Sequence, residues 1–207
     1  MGRIYSDLFY DDRGNQPEIT KPIEGPPILK AEVEKAIREM NKGKAVGPDS
    51  IPVETYEALD KMGIKKLTTL FNDIYVTGNI LADMLISPFI TLPKKPGTTD
   101  CECNRTISLM SHTLKLLLKI HFARLRNKIR HETLDAQFGF VADKGTTNVV
   151  FTLTMLTERC IEMQKELCLW FINYSKAFHK VRYEDLFQML NKLDIREKDL
   201  RILSNFY

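Results

Sequence analysis

The sequence predicts a mixed α/β (α+β) fold, rich in helix and carrying a few short strands. Three observations lead there. Apolar residues recur at helical spacing in seven separate segments. Three short apolar or β-branched runs lie between them, at residues 86–92, 105–109 and 167–172. Over 207 residues the chain is 43% hydrophobic and 28% charged, an ordinary globular composition long enough for one core or part of a larger one.

The elements follow in order. Residues 3–27 mix Pro, Gly and Asp and read as a short element and a linker, so residues 1–28 form an N-terminal segment. Residues 30–41 are amphipathic, with Val33, Ile37 and Met40 on one side, and Asn41-Lys42-Gly43 is a helix stop. Lys44 to Pro52 is a loop with Gly47-Pro48-Asp49 turn chemistry, and Asp49 or Ser50 is placed to cap a helix over 53–59. Residues 65–77 form a further helix, with Leu67, Leu70, Phe71 and Ile74 on one face and Gly78 at its end.

The strand-like runs 86–92 and 105–109 then bracket Lys94, Lys95 and Arg105, a pattern suited to a cationic hairpin and to a triphosphate, or to an ordinary exposed hairpin. Residues 111–130 are the longest helical segment. Ser111 is its cap, and Leu114, Leu117, Leu118, Phe122, Leu125 and Ile129 make its stripe. Lys115, Lys119, Arg124 and Arg126 lie off that stripe. Phosphate binding by such a face is independent of base sequence and sensitive to salt; a solvated helix face is the other reading.

Charge is placed unevenly. The net charge is +3, yet residues 86–131 hold nine basic and two acidic residues. Such a local excess suits a polyanion. Gln137-Phe138-Gly139-Phe140-Val141 follows, whose aromatics suit either base stacking or a core. Residues 147–166 are helical by pattern. Leu167 to Ile172 is a nearly unbroken apolar run of strand length, expected to be buried on both faces. Residues 183–193 and 197–206 are two further amphipathic helices.

Several classes are excluded or disfavoured. No run of about 18 apolar residues occurs, so no membrane span is expected. The N-terminus lacks the apolar core of a signal peptide. The four cysteines, at 101, 103, 160 and 168, complete no zinc pattern and point to free thiols in a reducing compartment, cytoplasmic or nuclear.

Phe171-Ile172-Asn173-Tyr174-Ser175-Lys176-Ala177-Phe178-His179 resembles the first catalytic box of reverse transcriptases from non-LTR (LINE-type, RTE-like) retrotransposons. That box runs Phe-x-Asp-Tyr-x-Lys-Ala-Phe-Asp. Four other stretches resemble the family's boxes in the same order: Gly43-Lys44-Ala45-Val46-Gly47-Pro48-Asp49-Ser50-Ile51-Pro52, Ile90 to Lys95, Arg105 to Leu109, and Gln137 to Phe140 with Gly145-Thr146.

The resemblance implies a partial right-hand polymerase fold, with reverse-transcriptase fingers over 29–166 and the start of a palm over 167–207. It implies that Lys94, Lys95 and Arg105 face a nucleotide triphosphate, that Phe178 is the sugar gate, and that Gln137, Gly139 and Phe140 lie along an RNA template or RNA–DNA duplex. It also implies magnesium in the intact family. Here Asn173 stands where the family has a metal-binding Asp, and His179 replaces an Asp that is not a ligand. No Tyr-x-Asp-Asp occurs, and the one Asp-Asp pair is Asp11-Asp12. The expectation is therefore a truncated, inactive relative of an RNA-directed DNA polymerase, holding no cofactor of its own. A non-catalytic nucleic-acid-binding module is the alternative.

Overall fold

The computed structural model describes residues 25–94, 96–97, 104–174, 177–193 and 195–206. The chain divides into two compact units. One comprises residues up to Lys128 together with Val181–Tyr207, and the other is Ile129–Lys180.

The first unit is a helical assembly. Helix α1 (Lys30–Arg38) buries Val33, Ala36 and Ile37, and the Glu32 carboxylate reaches back to accept from Leu29 N–H at 2.8 Å. Helix α2 (Val53–Glu57) buries Val53 and Tyr56. Pro52 precedes it, so no side chain caps it. Asp49 instead accepts from Ile51 N–H at 3.3 Å, which corrects the expected cap. Helix α3 (Lys61–Thr77) is capped by Asp60, which accepts from Gly63 N–H at 2.7 Å. It ends at Gly78, whose φ of 75° is the left-handed conformation that closes a helix. A single turn, α4 (Ala82–Leu85), leads to strands β1 (Phe89–Pro93) and β2 (Asn104–Ser108). These pair antiparallel, with Thr91 opposite Thr106 and Leu92 opposite Arg105.

Helix α5 (His112–Ile129) is the centre of this unit. The expected one-sided stripe is broader than its spacing implied. Leu116, Ile120, His112 and His121 are buried along with Leu114, Leu117, Leu118 and Leu125, whereas Phe122 is exposed. A helix buried on most of its circumference is a core helix, so partners on several sides override the amphipathic pattern. The first partners are α1 and α3, whose Ile37, Leu67, Phe71 and Ile74 share the apolar cluster.

Two late elements complete the unit. Helix α7 (Tyr183–Lys192) buries Tyr183, Phe187 and Leu190, and α8 (Glu197–Phe206) buries Leu200, Ile202 and Leu203. Helix α8 packs on α3 across about 125 residues of sequence. Arg201 donates to the carbonyls of Tyr75 and Val76, and Asn205 Nδ2 donates to that of Gly78 at 2.6 Å. These bonds satisfy carbonyls that the end of α3 leaves without helical partners, and the guanidinium sits at the negative pole of that helix.

The second unit contains helix α6 (Thr146–Glu162), on which no residue is buried. The segment from Leu167 to Tyr174 corrects the expected palm strand. It is irregular and exposed apart from the half-buried Leu167. A strand needs a neighbour to take its backbone hydrogen bonds, and no described residue serves as one.

Candidate nucleic-acid interface

The hairpin presents one exposed apolar face. Ile90, Leu92 and Ile107 lie on the same side as Arg105, because directly opposed residues of an antiparallel pair share a face. Arg105 is exposed, and Lys94 follows immediately after β1. A guanidinium on a rigid two-stranded support, beside an apolar platform, can hold a phosphate while a base or sugar lies on the platform. Lys95 lies outside the described residues.

The cations expected on α5 divide by what they touch. The Arg124 fork reaches Glu32 on α1, with its Nε and Nη2 donating at 2.8 and 2.6 Å, and bonds the Pro26 and Pro27 carbonyls as well. Its guanidinium also lies 5.4 Å from the Tyr75 ring centre. Lys119 bonds the Glu39 carbonyl at 2.7 Å and sits 3.6 Å from its carboxylate. Both side chains thus tie α5 to α1. Arg126 is exposed, and Lys115 is half-buried.

The pairing shows in the titration of its partners. Burial pushes the Glu32 carboxyl up, the Arg124 hydrogen bond pulls it down, and the net shift is below the usual carboxylate range. Arg124 is likewise held protonated: burial opposes the charge, and the bond to Glu32 outweighs it.

In the second unit, the loop before α6 folds back on itself. Lys144 Nζ donates to the carbonyls of Asp135 and Gln137 at 2.7 and 3.3 Å, and lies 5.3 Å from the Phe138 ring centre. Gln137 Nε2 donates to the Gly139 carbonyl at 3.2 Å. Phe140 has a φ of 60°, a conformation uncommon outside glycine, and its ring is 91% exposed. It meets the Phe178 ring edge to face, at 6.0 Å between centres. The residues expected at the template and at the sugar gate are therefore neighbours in this unit.

Asn173 stands in the irregular stretch and is exposed. Its amide is neutral and a poor ligand for a hard cation. Among the described residues no three His, Cys, Asp or Glu side chains converge as a metal-binding group.

The Gly47-Pro48-Asp49 turn has a structural role that its composition did not disclose. A Cβ on Gly47 would stand 2.6 Å from the backbone of Ser111, so only glycine allows this approach to the start of α5. Ser111 itself caps α5, its Oγ accepting from Leu114 N–H at 3.2 Å, as its position implied. Two further bonds hold the same junction: His112 Nδ1 to the Ile51 carbonyl at 2.8 Å, and Tyr56 Oη to Thr113 Oγ1 at 2.6 Å.

Sequence reasoning also missed a buried polar cluster. Asp199 Oδ1 accepts from His121 Nδ1 at 3.0 Å and from Tyr75 Oη at 3.3 Å, and both acid and imidazole are almost fully buried. Burial, together with the Asp199 charge, pushes the Tyr75 phenol up. His121 falls at an apolar position of the α5 pattern, and that interruption of the stripe was the available signal.

Comparison with known proteins gives two matches that span most of the sequence. Over 169 residues, 80% of this chain, it is 28% identical to the retrovirus-related Pol polyprotein from type-1 retrotransposable element R2 of Nasonia vitripennis. Over 181 residues, 85% of this chain, it is 28% identical to the probable RNA-directed DNA polymerase from transposon BS of Drosophila melanogaster. The chain is similar to retrotransposon polymerases. No protein-family model matches it. It spans 15% and 20% of the length of these two relatives, so most of each relative lies outside the match. Among the described residues no helix is long and apolar enough to cross a membrane.

Proposed function

We propose that this chain is the nucleotide- and template-contacting part of a retrotransposon RNA-directed DNA polymerase, and that it is catalytically inactive as it stands. The observation that carries the first half is the match to two retrotransposon polymerases over 80% or more of the chain. The hairpin supports it, with Arg105 on an exposed apolar face and Lys94 beside it. In this reading Arg105 and Lys94 neutralise phosphate, Lys95 joins them, and Arg126 and Lys115 extend the contact along the backbone of an RNA template or RNA–DNA duplex. Arg124 and Lys119 act by fixing α5 against α1. Phe140 and Phe178 offer ring faces to a base and a sugar, with Gln137 and Gly139 shaping the loop.

The second half rests on position 173. Nucleotidyl transfer needs carboxylates that gather magnesium around the reacting phosphate. An amide in place of one of them removes the charge that holds the metal, and each loss of about 1.4 kcal/mol of transition-state stabilisation costs roughly tenfold in rate.

Fluorescence anisotropy with a labelled RNA–DNA primer–template, over a salt series, tests binding. Primer extension with magnesium and with manganese tests turnover. Binding whose logarithm falls linearly with the logarithm of salt, with the primer unextended, is the expected result. Extension above background overturns the inactivity. No binding at low salt overturns the nucleic-acid reading altogether.

A further inference from the structure

Four consecutive carbonyls in the segment that leads into α1 each accept from a side chain. Lys198 Nζ donates to that of Gly25 at 3.1 Å, and the Arg124 guanidinium to those of Pro26 and Pro27 at 3.2 and 2.9 Å. Asn72 Nδ2 donates to that of Ile28 at 2.9 Å, and Asn72 Oδ1 accepts from Ile28 N–H at 2.7 Å. The gripping side chains come from α8, α5 and α3. Pro26 and Pro27 fix φ over the middle of the segment, so less freedom is lost when it seats.

The same three helices supply the buried cluster of Tyr75, His121 and Asp199, from adjacent positions. Asn72 stands three residues before Tyr75, Arg124 three after His121, and Lys198 immediately before Asp199. Helical residues three apart share a face, so the grip on the segment and the cluster lie side by side. The segment also touches the cluster closely. A Cβ on Gly25 would stand 3.2 Å from Tyr75 Oη and 3.4 Å from Lys198 Cδ. Arg124 and Lys198, both bonded to the segment, lie 5.4 and 5.3 Å from the Tyr75 ring centre.

We propose that Gly25–Ile28 is a latch on α8. Seated, it helps to keep water from the bonds that Asp199 accepts from Tyr75 and His121, and such bonds are stronger in a dry site of low dielectric. Lifted, it lets water reach them and frees Lys198, so α8 loosens with it. The packing of Leu114, Leu117 and Leu118 in the apolar cluster uses none of these bonds, so α5 stays in place. The latch and α8 thus open as one local unit, although Lys198 and Gly25 are 173 residues apart in sequence.

Hydrogen exchange of individual amides, followed by NMR on the whole chain, tests this. Each variant is read at a site with which the altered side chain makes no hydrogen bond. Asn72→Ala removes both bonds to Ile28. It is expected to speed exchange of the Leu200 and Leu203 amides in α8 roughly ten- to hundredfold, the weight of two hydrogen bonds. Lys198→Met keeps the length of the side chain and removes the bond to Gly25. Coupling is reciprocal, so it is expected to speed exchange of the Ile28 amide, by roughly tenfold for one bond. In both variants the Leu117 and Leu118 amides of α5 keep the rates of the parent. A distant amide that does not respond overturns the proposal, because the contacts are then independent. So does a speeding of α5 equal to that of the distant site, because the unit then opens only as a whole. Where Asn72→Ala does not fold, Lys198→Met decides between these outcomes.

Discussion

Asp199→Ala removes the acceptor at the centre of the buried cluster that joins α8 to α3 and α5. Two donors lose their partner, His121 Nδ1 at 3.0 Å and Tyr75 Oη at 3.3 Å. Each buried donor left unsatisfied costs about 1–3 kcal/mol, with the longer bond at the lower end, so the loss is about 2–5 kcal/mol. That is a large share of the roughly 5–15 kcal/mol that holds a domain together. With a urea dependence of about 2 kcal/mol per molar, the midpoint of unfolding falls by about 1–2.5 M. Far-UV circular dichroism in urea measures it, because the helices of this unit dominate the signal. Asp199→Asn is the control: its Oδ1 still accepts, so it loses clearly less. A double-mutant cycle with His121→Ala should show coupling, since the two side chains touch. Equal midpoints for Asp199→Ala and the parent would refute the reasoning, as would an Asn variant as unstable as the Ala variant.

Other outcomes follow from the same geometry. Gly47→Ala forces a methyl to 2.6 Å from the Ser111 backbone, and the overpacking costs about 1–3 kcal/mol, seen as a lower melting temperature. Glu32 has a depressed carboxyl pKa in the folded chain, so its contribution is present above the unfolded value of 4.5 and is lost as pH falls through the folded one. In urea titrations at falling pH, Glu32→Gln should lower stability at pH 7 and flatten the acid limb below pH 4.5. Arg105→Ala should weaken duplex binding similarly for all sequences and reduce the salt slope by about one, measured by anisotropy. Phe140→Gly should relieve the left-handed strain while removing the ring contact with Phe178, leaving the thermal unfolding of the chain little changed.

The sequence disclosed the helices well because their signals are local. Asp60 is absent from the apolar pattern of α3, yet Gly78 at its end and Ser111 before α5 were both legible, each a residue whose chemistry acts within one turn. What remained hidden depends on partners distant in sequence. Leu116 and Ile120 fall off the apolar stripe of α5 and are buried because neighbours cover that side as well. Arg124 and Lys119 read as solvent-facing cations, since nothing local tells that Glu32 and Glu39 stand opposite. The Leu167–Ile172 run has strand composition, but composition supplies no hydrogen-bonding neighbour. The candidate residues Arg105, Phe178 and Asn173 were singled out by residue type and resemblance alone, while the contact of Phe140 with Phe178 was not foreseen.

The two units are held by different means. In the first, the closing helix comes last in sequence, and polar contacts fix its position: Arg201 and Asn205 on the carbonyls that end α3, and Asp199 between His121 and Tyr75. Polar contacts of this kind specify register more sharply than apolar burial does, because a shift of one residue leaves each donor orphaned. The 52 residues of Ile129–Lys180 are inserted between α5 and that closing helix, and α6 within them buries nothing. The exposed aromatics of this unit, Phe140, Trp170, Phe171 and Phe178, are free to serve contact with a partner rather than stability. Local opening should then be easier in residues 129–180 than around Tyr75, and amide exchange should rank them in that order.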